Sequence, residues 1–310
     1  MVMARRSAAL CAAAAAVSVS TSAVGQNMPV TEGAPAPVGQ LAPPPGYAKR
    51  PPPTPEQIAA RQEAAARVAK AIADAKAKPT PRAADGKVDL AGIWTGAGGP
   101  NFNMVGRKVG GDVIFEFDEY YGGKAPLPAD GPKYKPEELK KVIYNDEHSS
   151  FVDKTFRCGK AGVPRNGPPQ QIIQTPTEVV FLYAELAGQT FRVIPTDGRG
   201  FRDEIDASLN GDSVGRWEGD TLVVETRNFT DETWLGGRGY HHTDKMTVVE
   251  RLSRQGDVLT YALTVNDPDV LAQPWNATPR QLMPTATMLE EPPPCEDIVG
   301  DHLVNTDNHS

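Results

Sequence analysis

The densest group of chemically capable side chains is His241-His242-Thr243-Asp244. Read as the start of a strand, alternate residues share a face, so His242 and Asp244 point the same way, roughly 7 Å apart, and His241 points away. An imidazole beside a carboxylate is an acid–base pair, or part of a metal site. A metal would need a third ligand, for which Glu225 and Glu185 are the only suggestions. No recognised ligand spacing supports them, so neither metal nor cofactor is expected. The plain alternative for His242 is a structural histidine satisfied by a backbone carbonyl.

The strands that would have to position this pair repeat one pattern. His242, Asp244, Met246, Val248, Glu250 and Leu252 share a face; so do Leu259, Tyr261, Leu263, Val265 and Asp267; so do Val179, Phe181, Tyr183 and Glu185. Each is an apolar or aromatic face carrying an ionisable residue towards one end. Three such strands around one cavity would make an apolar pocket lined by Tyr183 and Tyr261, with His242, Asp244, Asp267 and Glu185 at its rim or floor, the usual make-up of a small-ligand site. The competing account is that strands carry charge where they leave the core to meet water. Glu250 next to Arg251 reads as structural. Arg165, in the proline-bounded loop Arg157–Arg165, has the planar fork that grips a carboxylate, or is a surface arginine. Gly236-Gly237-Arg238-Gly239 is either a mobile loop gating the pocket or a connection.

Period-two stretches at 88–95, 112–118, 171–174, 178–186, 190–195, 213–218, 221–228, 243–252 and 258–266 are separated by tight-turn signals such as Asn210-Gly211-Asp212, Glu218-Gly219-Asp220 and Gln255-Gly256-Asp257. Short strands so spaced predict a mainly β fold, an antiparallel barrel-like structure or a sandwich, spanning 85–302. Two helices accompany it. Thr54-Pro55-Glu56-Gln57 opens an Ala-rich helix over 55–78 with a capping box, and its thin apolar stripe suits a solvated stalk or a loosely docked element. A short internal helix starts near Pro136.

The N-terminus has the parts of an export signal over 1–25: Arg5-Arg6, an apolar stretch Ala8–Val19, and small residues at Ala23 and Gly25. Residues 26–54 form a proline-rich leader with too few apolar anchors to offset its ordering entropy; ten of the chain's 29 prolines fall between Gln26 and Pro55. A periplasmic or secreted location follows as an expectation. Loss of Cys11 with the signal leaves Cys158 and Cys295, which in an oxidising compartment predict a disulfide. The net charge of −7 becomes more negative once Arg5 and Arg6 leave, and there is no basic block; nucleic acid and anionic membranes are thereby disfavoured as partners. Beyond the signal no apolar run is long enough to span a bilayer. Oligomeric state leaves no trace in the sequence.

The run Gly211-Asp212-Ser213-Val214-Gly215-Arg216-Trp217-Glu218-Gly219-Asp220-Thr221-Leu222-Val223-Val224-Glu225-Thr226 resembles the signature of a largely uncharacterised family of secreted bacterial β-rich proteins. Asp89–Trp94, the Arg157–Arg165 loop, Glu250-Arg251, Asp267-Pro268, Pro274-Trp275 and Cys295-Glu296 match further pieces of it. The chain departs at Asp297, where such proteins carry a histidine. The resemblance implies export and a β fold, and no particular activity. Gly92-Ile93-Trp94 is similar to the opening motif of lipocalins, in which the tryptophan closes one barrel end.

The sequence therefore points to an exported protein holding a small, partly apolar ligand. One form of it is a cofactor-free lyase, isomerase or hydrolase using His242 and Asp244; another is a carrier without chemistry; a third is a structural, envelope-associated protein. No nucleophile elbow, nucleotide loop or zinc-binding helix is present.

Overall fold

The computed structural model describes residues 54–96, 106–109, 112–115, 131–185 and 188–290. The expected export signal and leader up to residue 53, and Cys11 and Cys295, lie outside the described residues, as does the Glu185 side chain.

The strands are β1 Gly92–Gly96, β2 Gly106–Val109, β3 Asp112–Phe115, β4 Gln171–Gln174, β5 Glu178–Glu185, β6 Gly188–Pro195, β7 Asp212–Glu218, β8 Thr221–Arg227, β9 Thr247–Gln255, β10 Val258–Asn266 and β11 Trp275–Pro284. Nine of them form one antiparallel sheet in the order β6-β5-β4-β1-β11-β10-β9-β8-β7, and β2–β3 make a separate hairpin. The two edges curl towards each other. A Cβ on Gly215 in β7 would sit 3.0 Å from methyl groups of Ile194 and Thr196, so only the missing side chain lets β7 come this close to β6. The sheet is a nearly closed barrel rather than a sandwich.

Inward-facing residues of the sheet line its interior, among them Trp94, Ile172, Phe181, Tyr183, Ile194, Leu222, Val224, Val248, Leu252, Tyr261, Leu263 and Leu282. Trp94 is buried, donates from Nε1 to Leu90 O at 3.0 Å, and lies under the Arg254 guanidinium, 5.0 Å from its ring centre.

The two ends of the barrel differ. Pairing of Tyr183 with Thr190, Asp212 with Arg227 and Thr247 with Asn266 brings the last residues of β5, β8 and β10 to one end, beside the first residues of β6, β7, β9 and β11. The longer connections arrive here: 196–211, 228–246 and 267–274, together with the segment leading into β4. That segment carries α2 Leu139–Glu147, α3 Ser149–Val152 and a 3-10 turn Lys154–Arg157. The opposite end has the short β7–β8 and β9–β10 turns and receives the N-terminal helix α1, Pro55–Lys76, which has the expected Thr54–Gln57 capping box. Most of α1 is exposed, but its last turn is docked: Ala75 is buried, Asp257 N donates to Ala75 O at 3.0 Å, and Lys78 Nζ meets Asp257 at 2.7 Å. A Cβ on Gly256 would fall 2.2 Å from Ala75 O.

The strand expected over 88–95 begins only at Gly92, the internal helix begins at Leu139 rather than near Pro136, and β11 was not expected at all. The strand expected over 243–252 begins only at Thr247, because Asp244 and Lys245 form a turn closed by Met246 N to Thr243 O at 3.2 Å. β11 lacked a legible strand pattern. It contains Pro279, tolerated because the register with β10 shifts between Tyr261 and Leu263 there, a bulge that spares the ladder an N–H it cannot supply.

Candidate functional site

Inside the barrel, an ion pair sits where apolar side chains are the norm. Arg192 of β6 and Glu250 of β9 are 3% and 1% exposed. Arg192 Nη1 donates to Glu250 Oε1 at 3.0 Å and to the Tyr183 hydroxyl at 3.1 Å. Its Nη2 donates to Glu250 Oε2 at 2.6 Å and to Ser213 Oγ and Thr226 Oγ1, each at 2.9 Å. The Tyr261 hydroxyl donates to Glu250 Oε1 at 2.8 Å. Arg192 Nε is buried with no acceptor among the described residues. Burial is the largest single influence and works against the guanidinium charge, but Glu250, Tyr183 and Tyr261 together overcome it and raise the Arg192 pKa, so the guanidinium keeps its charge. Burial, then the negative charge of Glu250, pushes Tyr261 well above the ordinary phenol value, so its hydroxyl keeps its proton.

Pairing explains why this cluster forms. Residues directly opposite on adjacent strands share a face; Phe181 is opposite Arg192 and Tyr183 opposite Thr190, so once β5 turns its aromatic residues inward, Arg192 must follow. Phe191 and Val193 then face out and are exposed.

A second group occupies the loop end. His241 and His242 are both buried. His242 Nδ1 lies 3.1 Å from Thr243 O, which can only accept, so that nitrogen carries the proton. Nε2 then accepts from the Thr233 hydroxyl at 2.8 Å in the neutral ring. Burial lowers the His242 pKa, only partly countered by the Thr243 carbonyl and Asp267. His241 Nε2 donates to Glu138 Oε2 at 2.9 Å, while its Nδ1 is buried without a partner among the described residues. Its pKa is also lowered, by burial first, against the raising effect of Glu138. Tyr134 donates its hydroxyl to His241 O and stacks on Tyr240 at 5.9 Å between ring centres.

The expected residues separate into three places. Tyr183 and Tyr261 do share the barrel interior. His242 and Asp267 are at the loop end, where Asp267 is fully buried and accepts from Thr243 N at 2.6 Å, Thr243 Oγ1 at 3.0 Å and Asp269 N at 3.1 Å; it braces the end of β10 against the segment before β9. Asp244 is on the surface, 64% exposed and paired with Lys245. The shared face for His242 and Asp244 is not formed, because the turn at Asp244-Lys245 breaks the alternation on which it depended. Likewise His241 is inside rather than outside. Arg165 does grip a carboxylate with both ends of its fork, but the carboxylate is Asp153 of its own chain, at 2.8 and 2.7 Å. The Gly236–Gly239 loop is pinned to α2: Arg238 pairs with Asp146 at 3.0 Å, and a Cβ on Gly239 would lie 2.2 Å from Val142 O. Glu250, read as structural, is an interior carboxylate whose partner is Arg192. Parity already put Glu250 on the Val248–Leu252 face; Arg192 carried no such signal, because hydrophobicity alone would turn β6 the other way. Among the described residues no three His, Cys, Asp or Glu side chains converge as a metal site.

No family model matches the chain, and no curated protein or solved structure is significantly similar to it.

Proposed function

We propose that this is an exported barrel protein that holds a small, partly apolar ligand by its uncharged oxygen atom, with the polar cluster of Arg192, Glu250, Tyr183 and Tyr261 as its recognition group. One observation carries the proposal: Arg192 Nε is a fixed, buried donor lacking an acceptor in an apolar interior. A buried donor left unpaired costs about 1–3 kcal/mol, and a carbonyl or hydroxyl oxygen would satisfy it. Glu250 already neutralises the guanidinium, so the site gives an anionic head group no advantage. A buried ion pair is also no better for stability than well-packed apolar residues of like volume, so stability alone does not account for its presence.

Export is supported by the charged and apolar pattern of residues 1–25 and by Cys158 being a bonded cysteine rather than a titrating thiol; we assign Cys295 as its partner. The enzymatic alternative based on His242 with Asp244 has no geometric support, since those side chains do not meet.

The test is displacement of the neutral dye N-phenyl-1-naphthylamine by 2-octanone, 1-octanol, octane and octanoate. The ketone and alcohol should displace best, and the R192M/E250L double variant should lose that preference. Equal displacement by octane, or a preference unchanged in the double variant, overturns the proposal.

A further inference from the structure

We infer that His241, held by Glu138, is a second binding site, one that accepts a hydrogen bond from a small aromatic hydroxyl compound through its bare Nδ1. This site uses none of the residues of the barrel cluster and stands or falls separately from it.

The inference starts from the proton inventory of one ring. A carboxylate accepts and cannot donate, so the Glu138 contact fixes the proton of the neutral imidazole on Nε2. Nδ1 then presents a lone pair. That atom is sequestered from solvent and has no donor within reach among the described residues, in a ring that is itself almost completely buried. Were the ring protonated instead, an N–H would be stranded in the same place. In both states the position calls for a partner, and in the neutral state the partner is a donor. A carboxylate orienting one nitrogen of an imidazole also raises the acceptor strength of the other.

The surroundings indicate the chemical class. Tyr134 lies against His241 with ring centres 5.2 Å apart, and Tyr240 stacks on Tyr134. Flat aromatic walls favour offset or edge-on packing of another ring. The Glu138 side chain is 28% exposed, so the dyad reaches the surface at its carboxylate side. A phenol supplies the O–H donor that Nδ1 lacks among the described residues and a ring of the kind that already packs here.

The probe is phenol, titrated into full-length protein labelled with nitrogen-15 in its histidines. The expected starting spectrum shows His241 as the Nε2–H tautomer. Phenol should then move the His241 Nδ1 resonance saturably and leave His242 unmoved, because both His242 nitrogens are already engaged. H241F should lose at least tenfold in phenol affinity, H242Q should keep it, and R192M/E250L should keep it as well. E138Q, which retains an acceptor for Nε2–H, should fold and bind more weakly. A His241 proton on Nδ1, a resonance indifferent to phenol, or equal loss in H241F and H242Q overturns the inference. Failure of the octanone experiment with a saturable phenol response would refute the barrel site alone.

Discussion

Replacing Glu250 by leucine removes one carboxylate and strands a charge. The carboxylate accepts two hydrogen bonds from Arg192 and one from Tyr261, at 3.0, 2.6 and 2.8 Å. The guanidinium left behind is 3% exposed and cannot shed its proton at any pH the fold survives. Breaking one partner of such a pair costs about 3–5 kcal/mol. For a cooperative unit of about 200 residues, each kcal/mol shifts the midpoint by ~2–4 °C, so E250L should melt ~6–20 °C lower. R192M/E250L removes both charges and keeps the volume. Ser213 and Thr226 still bond each other at 3.0 Å, while the tyrosine hydroxyls lose partners, so the second substitution should recover at least half of the loss. Calorimetry of wild type, both single variants and the double variant closes the cycle. A double variant no more stable than E250L would show that the interior charge is not held by this pairing, and the account of the barrel core would be wrong.

Four further outcomes follow. Because burial lowers the folded pKa of His241 and His242 below the ordinary 6.5, the unfolded chain binds more protons between those values, so stability should fall as pH drops below about 6.5; H242Q should flatten the melting-temperature profile between pH 7 and 5, and an unchanged slope would refute it. G239A meets both a φ of +71° and Val142 O at 2.2 Å, so it should destabilise by more than 2 kcal/mol, whereas G219A, with φ +59° and open space, should cost about 1 kcal/mol, as urea melts of the two would show. A chain starting at Thr54 should melt within about 2 °C of one starting at Gln26, but one starting at Pro79 should melt clearly lower because Asp257 loses both Ala75 O and Lys78. Denatured, unreduced protein from an oxidising compartment should show no reactive thiol, and two thiols per chain would remove the Cys158–Cys295 bridge.

What was legible in the sequence was periodic or chemically local. The capping box at Thr54 and Gln57 depends on four adjacent residues, and β4 and β10 have the bounds their alternation gives. The placement of Tyr183 and Tyr261 followed from parity alone. Parity failed where one turn intervened: His242 and Asp244 were assigned to one face across Thr243, and the turn at Asp244-Lys245 sends them to opposite environments. Arg192 and Glu138 were out of reach for a different reason. Each is defined by a partner 58 or 103 residues away, and nothing in the flanking residues encodes that meeting. β11 was hidden because Pro274, Pro279 and Pro284 read as strand breakers, and only the bulge opposite Ala262 shows how the ladder accommodates Pro279.

The docking of α1 at the short-turn end also gives the molecule a direction. Any attachment made through the N-terminal side of the chain joins the barrel by way of the helix that ends on the β9–β10 turn. The longer connections, the two adjacent histidines and the stacked tyrosines gather at the opposite pole, away from the turn on which α1 ends.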